Sequence, residues 1–160
     1  MTPEQSVVAT ALGDWKLNVG RAGKLFSGLS EEQLLAEVAP GKNRLVYLWG
    51  HLIAVHDAML PILGLGPRLH PELDAAFLTG ADRVVAELPS AAELERWWDE
   101  VNGRLLAAFS NFTASDWSQK HTLVSDEDFA ANPLRNRLAV LLSRTAHVAY
   151  HLGQAVLAPK

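Results

Sequence analysis

The chain has 160 residues, of which 49% are hydrophobic, so it is long enough to fold as a single domain over residues 1–160 around one substantial core. Its 14 basic and 18 acidic residues give a formal net charge of −4. Neither this charge balance nor any run of lysine and arginine indicates a nucleic-acid-binding surface, so no nucleic-acid partner is expected.

The sequence contains no cysteine. This excludes disulfides, thiolate-bound zinc and a cysteine nucleophile, and any metal must be held by His, Asp, Glu or water. The first residues, MTPEQSVVATALGDWK, lack a basic stretch followed by a long apolar one, so no signal peptide is expected. No uninterrupted apolar run reaches the length of about 18 residues that a membrane span requires. A cytoplasmic protein without membrane contact is therefore expected.

Capping signals predict where helices begin. Serine or threonine followed three residues later by Glu or Gln forms a capping box, and this spacing occurs for Thr2 with Gln5, Ser30 with Gln33, and Ser90 with Glu93. Pro3 suits the first position of the first helix. Asn132-Pro133 predicts the cap and first turn of the last helix.

Apolar periodicity predicts four long helices. The first ends at Ser27-Gly28, the second covers about 43–63, the third has about twenty residues after Ser90, and the last ends near Leu157. The second helix is apolar nearly all round, which predicts burial on most of its sides. Two long connections, 64–89 with a short helix near 72–78 and 111–132, separate the later helices, and no strand is predicted. The expected fold is all-α, a four-helix bundle with long crossover connections.

Two histidines share one face of the last helix, within the segment HVAYHLGQ at 147–154. His151 lies about 40° around the helix from His147, with Gln154 and Arg144 on the same stripe. Imidazoles at positions i and i+4 can bind one metal ion together. Two satisfied polar groups in a core are the alternative, although the apolar surroundings favour a metal because a buried imidazole needs partners.

The buried second helix offers a third imidazole. His51 and His56 are about 140° apart around this helix, so both cannot face one site. Asp57 follows His56 and suggests that His56 lies near a polar edge. His51, among Leu48, Trp49 and Leu52, is the preferred third ligand.

Together these segments resemble a known family. GHLIAVHDAMLP, HVAYHLGQ, Trp15 and the NRLVYLWGHL stretch match the DinB/YfiT-like superfamily of metal-dependent enzymes in order and spacing, over essentially the whole chain. The resemblance implies a four-helix bundle, often dimeric, with zinc or nickel held by His51, His147 and His151. It aligns Gly153 and Gln154 with the Gly-Gln of the family motif. Some relatives are S-transferases or isomerases that use a low-molecular-weight thiol such as bacillithiol, mycothiol or glutathione.

The site residues suggest some chemistry and exclude other kinds. Three histidines leave a coordination position open, which is typical of a catalytic metal. Val148 follows His147 where a metalloprotease helix carries its glutamate base, so a thiol is the more natural nucleophile. Gln154 is expected to hydrogen-bond a ligand histidine or a metal-bound water, or else to face solvent. Arg144 is expected to bind an anionic cofactor or substrate, or to pair with a surface acid.

Three functional hypotheses remain open from the sequence. The first is a metal-dependent transferase or hydrolase that acts on a small molecule, with no catalytic residue assigned beyond the metal site. The second is a non-catalytic stress-response or ligand-binding dimer with an empty or vestigial site, and the third is a structural metal that joins two helices. The tryptophan-rich third helix predicts an exposed apolar face and a homodimer.

Overall fold

A computed structural model describes residues 1–159. This part of the chain is helical with no strand, only two isolated bridges, and the predicted all-α class is confirmed. In chain order the helices are α1 (Pro3–Ser27), α2 (Glu31–Leu34), α3 (Leu45–Ile62), a 3-10 helix (Pro71–Leu73), α4 (Asp74–Phe77), α5 (Ala91–Phe109), α6 (Ala114–Ser118), α7 (Asp126–Ala131) and α8 (Arg137–Val156).

The four long helices pack side by side. Helix α1 contacts α8 and α5, and α3 contacts the same two helices, so the four form a closed ring around one core. Large side chains without solvent exposure fill that core, among them Trp15, Phe26, Trp49 and Trp117. Helix α3 is the most deeply buried of the four, as its nearly continuous apolar surface predicts.

Helix α3 also meets the length and hydropathy criteria of a membrane span, although polar residues interrupt its apolar sequence. Its 18 residues have a mean hydropathy of 1.3. However, 72% of them are buried inside the protein. A single segment of this kind is weak support for a membrane helix, because the core helix of a bundle has the same composition.

All three predicted capping boxes are present, with the backbone and side-chain hydrogen bonds formed in both directions. The predicted start of the last helix is wrong by four residues. Asn132 instead accepts a hydrogen bond from the Leu134 N–H (3.1 Å), and the side chain of Asn136 caps α8 through the Ala139 N–H (2.9 Å). The Arg137 N–H donates to the Gln119 carbonyl, which ties the helix start to the second connection.

A buried carboxylate fixes the long connection between α3 and α5. Asp57 has no solvent exposure and accepts hydrogen bonds from the backbone N–H groups of Leu69 (2.8 Å) and His70 (3.0 Å). Arg68 donates to Asp57 (3.0 Å) and also to Asp74, the first residue of α4. This network holds α4 against α3, and α4 supplies a backbone group to the site described below.

Candidate metal centre

The structure brings the three predicted histidines together. His51 projects from α3, and His147 and His151 project from α8 one turn apart. The Nε2 atom of His147 lies 3.2 Å from Nε2 of His51 and 3.1 Å from Nε2 of His151. All three rings are half-buried, and they are the one group of His, Asp and Glu with metal-binding geometry in residues 1–159.

Hydrogen bonds on the outer side of two rings fix their tautomers. Nδ1 of His51 is 2.7 Å from the Phe77 carbonyl, and a carbonyl only accepts, so this nitrogen carries the proton. Nδ1 of His151 likewise donates to Oε1 of Gln154 at 2.8 Å. In the neutral rings both Nε2 atoms therefore present lone pairs towards His147.

These lone pairs fit a divalent cation. A neutral His147 can donate at most one proton from Nε2, so it can form a hydrogen bond with only one of the two Nε2 lone pairs. The other lone pair then points at His147 without a hydrogen bond. Two nitrogens bound to one tetrahedral zinc at its usual bond length lie about 3.3–3.4 Å apart, close to the distances between these rings. An ion at the centre would satisfy all three nitrogens, and the carbonyl and amide behind the rings are the outer partners that ligand histidines usually have.

Burial favours the uncharged form of the two histidines of α8 near neutral pH. Burial, with repulsion from His151 and His51, lowers the pKa of His147 to about 4. Burial also lowers the pKa of His151, against the opposing effect of the Gln154 hydrogen bond. Neutral imidazole is the form that binds a metal, so protons should compete little with a metal at His147 and His151 at pH 7.

The close packing of Phe77 explains why a glycine, Gly50, precedes His51. A Cβ atom at this position would lie 2.4 Å from the ring of Phe77, so only glycine lets Phe77 pack directly on α3. This close approach sets the Phe77 carbonyl against His51. Tyr47 supports the same contact by donating to the Gly80 carbonyl at 2.8 Å.

Replacing Gly50 with alanine is expected to destabilise the fold by about 1–3 kcal/mol, because the added methyl group forces Phe77 and α4 away from α3. The metal affinity should fall as well, since His51 loses its fixed orientation. Gly103→Ala is the matched control: Gly103 is exposed in α5 with nothing near its Cβ position, so alanine there should stabilise by up to about 1 kcal/mol. Urea unfolding of both variants measures the difference, and equal effects would contradict this role for Gly50.

Gln154 and Arg144 occupy different surroundings around the cluster. Gln154 accepts from His151 and donates to the Tyr150 hydroxyl (3.2 Å), and it also borders a cavity of about 310 Å³ beside Lys42. Arg144 is half-buried, and it has no acidic partner within the described part of the chain. The pairing of Arg144 with a surface acid, one of the two expectations, is therefore not observed.

His56 lies outside the cluster, but the reason given for this from the sequence is wrong. His56 and Asp57 are both completely buried, so neither marks a polar edge. Nδ1 of His56 pairs with Oδ1 of Asn102 at 2.9 Å, and its ring packs against Trp15 and Trp98. Burial lowers the pKa of His56 to about 3, so the ring is a neutral core group.

The metal-free protein should lose stability as the pH falls from about 6.5 towards 4. In that range His56 and His147 bind protons in the unfolded chain, while their lowered pKa values keep them neutral in the folded one. The contribution of each neutral histidine to the free energy of unfolding is complete above its pKa in the unfolded chain. As the pH falls below that value, the free energy of unfolding decreases by up to about 1.4 kcal/mol per pH unit for each group. His147 contributes less than His56 because it is half exposed to solvent. Urea unfolding across this range with EDTA tests the trend, which a flat profile would contradict.

The third long helix does not present the predicted exposed apolar face. Trp98 is 4% exposed and belongs to the core, while Trp97 is half-buried against His70 (ring centroids 5.5 Å apart). Glu95 and Asp99 on the same helix are exposed to solvent. The homodimer remains a prediction without support from this helix.

Sequence reasoning missed two features of the site. The Phe77 carbonyl belongs to the backbone of a residue 26 positions from His51, so no side-chain pattern could reveal it. The second feature is His121, which borders a cavity together with Arg144. The one indication in the sequence is that His121 lies in the polar connection that leads into α8, the helix that carries Arg144.

The sequence is similar to a curated protein and to a family of known proteins. The chain matches a tRNA-2-methylthio-N(6)-dimethylallyladenosine synthase of Rickettsia akari at 28% identity over 116 residues, which is 72% of this chain. The matched segment covers only 25% of the length of that curated relative. The family profile described as the DinB superfamily matches residues 18–155. With most of its length in that match, including all three histidines of the cluster, the chain belongs to the DinB superfamily.

Proposed function

We propose that the chain is a metal-dependent enzyme in which His51, His147 and His151 hold one divalent ion, zinc or nickel. The reaction proposed is a transfer or hydrolysis on a small molecule with the help of a low-molecular-weight thiol. The observation that carries the proposal is the convergence of three Nε2 atoms, two of them with tautomers fixed from behind. Family membership supports it, since the matched segment contains all three histidines.

The number of ligands supports a catalytic ion over a structural one. The group contains three residues among those described, whereas structural zinc sites have four protein ligands. A three-ligand site keeps a position open for a substrate or a nucleophile. Because the three histidines are only half-buried, the cluster is accessible from solvent.

The charges around the cluster support a thiol nucleophile. Among residues 1–159, the hydrogen-bond partners of the three rings are a carbonyl, an amide and one another, and no carboxylate touches them to act as a base. A divalent ion in this position would lower the pKa of a thiol or a water molecule brought to it. Arg144, one turn before His147, adds a positive charge on the same stripe, which favours anionic nucleophiles and substrates.

Elemental analysis followed by an activity assay tests the proposal. The metal-loaded protein is incubated with an alkylating electrophile and, in separate reactions, with bacillithiol, mycothiol or glutathione. Metal-dependent consumption of one thiol is expected, and it should disappear in His147→Ala. His70→Gln, which removes a histidine outside the cluster, is the control and should keep the activity. A protein that binds metal but consumes none of the three thiols would contradict the thiol-dependent reaction.

A further inference from the structure

A cavity with mostly apolar walls lies along the first half of α8, on the N-terminal side of His147. It measures about 290 Å³ and is called the Arg144 cavity here; its lining residues include Arg144, Ser143, Val140, Ile62, His121 and Arg135. It is formed by α8, by the end of α3 and by the connection that precedes α8. None of these lining residues belongs to the three-histidine group.

Arg144 brings an uncompensated charge to this cavity. Its Nε atom is buried and has no hydrogen-bond partner, and its guanidinium forms no ion pair within residues 1–159. Nδ1 of His121, which also lines the cavity, is likewise buried without a hydrogen-bond partner. A half-buried cation without an anion is costly, and buried polar atoms normally have partners. Arg135 differs because it pairs with Asp128 at 3.4 Å.

The remaining walls of the cavity are apolar. Val140 and Ile62 line the interior, and Leu123 and Leu134 line it as well while remaining 69% and 77% exposed. Exposed leucines beside a cavity offer a surface that a ligand can cover. This combination favours a small molecule with an anionic end and a short apolar chain.

We propose that the Arg144 cavity binds the carboxylate of a small, partly apolar molecule, with Arg144 as the anchoring group. Arg144 precedes His147 by three residues, a rise of about 4.5 Å along α8. The apolar part of a molecule held there by its carboxylate would lie against Ile62, Leu123 and Leu134. The role of this molecule as substrate or thiol cofactor rests on the proposed function, whereas binding of the carboxylate itself requires no metal.

The guanidinium geometry explains why a carboxylate is the expected partner. Arginine donates two parallel hydrogen bonds to a carboxylate or a phosphate, and such charge-assisted bonds are strong in a partly buried site. The apolar walls favour the carboxylate of an aliphatic molecule over inorganic phosphate, which is strongly hydrated on all sides. Burial lowers the pKa of Arg144, in keeping with a charge that lacks compensation.

Isothermal titration of the full chain with butanoate and with butanamide tests the proposal. The two molecules have nearly the same shape, but only butanoate is charged, so this comparison needs no variant. Butanoate should bind saturably, with the weak affinity of a small ligand, and at least about tenfold more tightly than butanamide. Inorganic phosphate is the third probe and should bind more weakly than butanoate.

Variants connect the binding to Arg144. Arg144→Gln should weaken butanoate binding by about tenfold or more, and Arg144→Lys should retain part of it because the charge remains. Arg21→Gln, which removes an exposed arginine of α1, should bind like the unchanged protein. Equal affinities for butanoate and butanamide, tighter binding of phosphate, or full affinity in Arg144→Gln would overturn the proposal.

Metal analysis on the same samples separates this inference from the proposed function. Arg144→Gln should keep the metal content of the unchanged protein, because Arg144 does not contact the cluster nitrogens. Butanoate binding should also persist after EDTA treatment. A protein that binds butanoate through Arg144 but carries no metal would refute the proposed enzyme and leave the carboxylate site standing.

Discussion

Replacing His147 with alanine should reduce the metal content of the purified protein from roughly one divalent ion per chain to a small fraction of that. His147 lies between the other two histidines, and its Nε2 is within 3.2 Å of both partner nitrogens. Without it, His51 and His151 remain on different helices as an incomplete pair. The loss of affinity should exceed the roughly 10- to 100-fold that follows from changing an outer partner of a metal ligand. Elemental analysis after dialysis measures this directly.

Thermal unfolding with and without EDTA gives an independent result for the same site. A metal that binds only the folded chain stabilises it by about 4 kcal/mol at a concentration of about 1,000 times Kd. For a chain of this size each kcal/mol shifts Tm by about 2–4 °C. EDTA should therefore lower Tm of the unchanged protein and leave Tm of His147→Ala unaffected. An unchanged Tm in both proteins would favour the non-catalytic dimer with an empty site.

The ligand spacing was predictable because it is local. His147 and His151 lie four residues apart on one predicted helix, and helical geometry alone places them together. His51 required a choice between two histidines on a helix that is buried nearly all round, where apolar periodicity cannot indicate a direction. The preference for His51 agrees with the cluster, yet the argument from Asp57 was wrong because Asp57 is completely buried. A carboxylate in a helix signals solvent only when no other chain segment uses its oxygens.

The helix starts show the same limit. Thr2, Ser30 and Ser90 cap as predicted because a capping box is closed by residues only three positions apart. Asn132-Pro133 carried an equally local signal, but an asparagine can satisfy a backbone N–H in a turn as well as at a helix cap. The bond from Arg137 to the Gln119 carbonyl decides between them, and it depends on tertiary packing.

Replacing Asp57 with alanine should destabilise the fold by about 3–5 kcal/mol, because it removes one partner of a buried ion pair. Asp57 accepts from Arg68 and from two backbone N–H groups, and all three donors lose this acceptor together. Arg68 still donates to Asp74, so its guanidinium keeps one acidic partner and the loss of stability is smaller than for a fully unpaired charge. Urea unfolding of the metal-free protein measures the change without a contribution from the ion.

The same substitution should also weaken metal binding, although Asp57 contacts no histidine of the cluster. Asp57 holds the chain at Leu69 and His70, which leads directly into α4 and to the Phe77 carbonyl that orients His51. Asp99→Asn, at an exposed carboxylate of α5, is the control and should change neither stability nor metal affinity. If Asp57→Ala lost stability but bound metal as tightly as the unchanged protein, the His51 orientation would not depend on this connection. A parallel loss of both would mean that the buried carboxylate organises the metal centre through the backbone of α4.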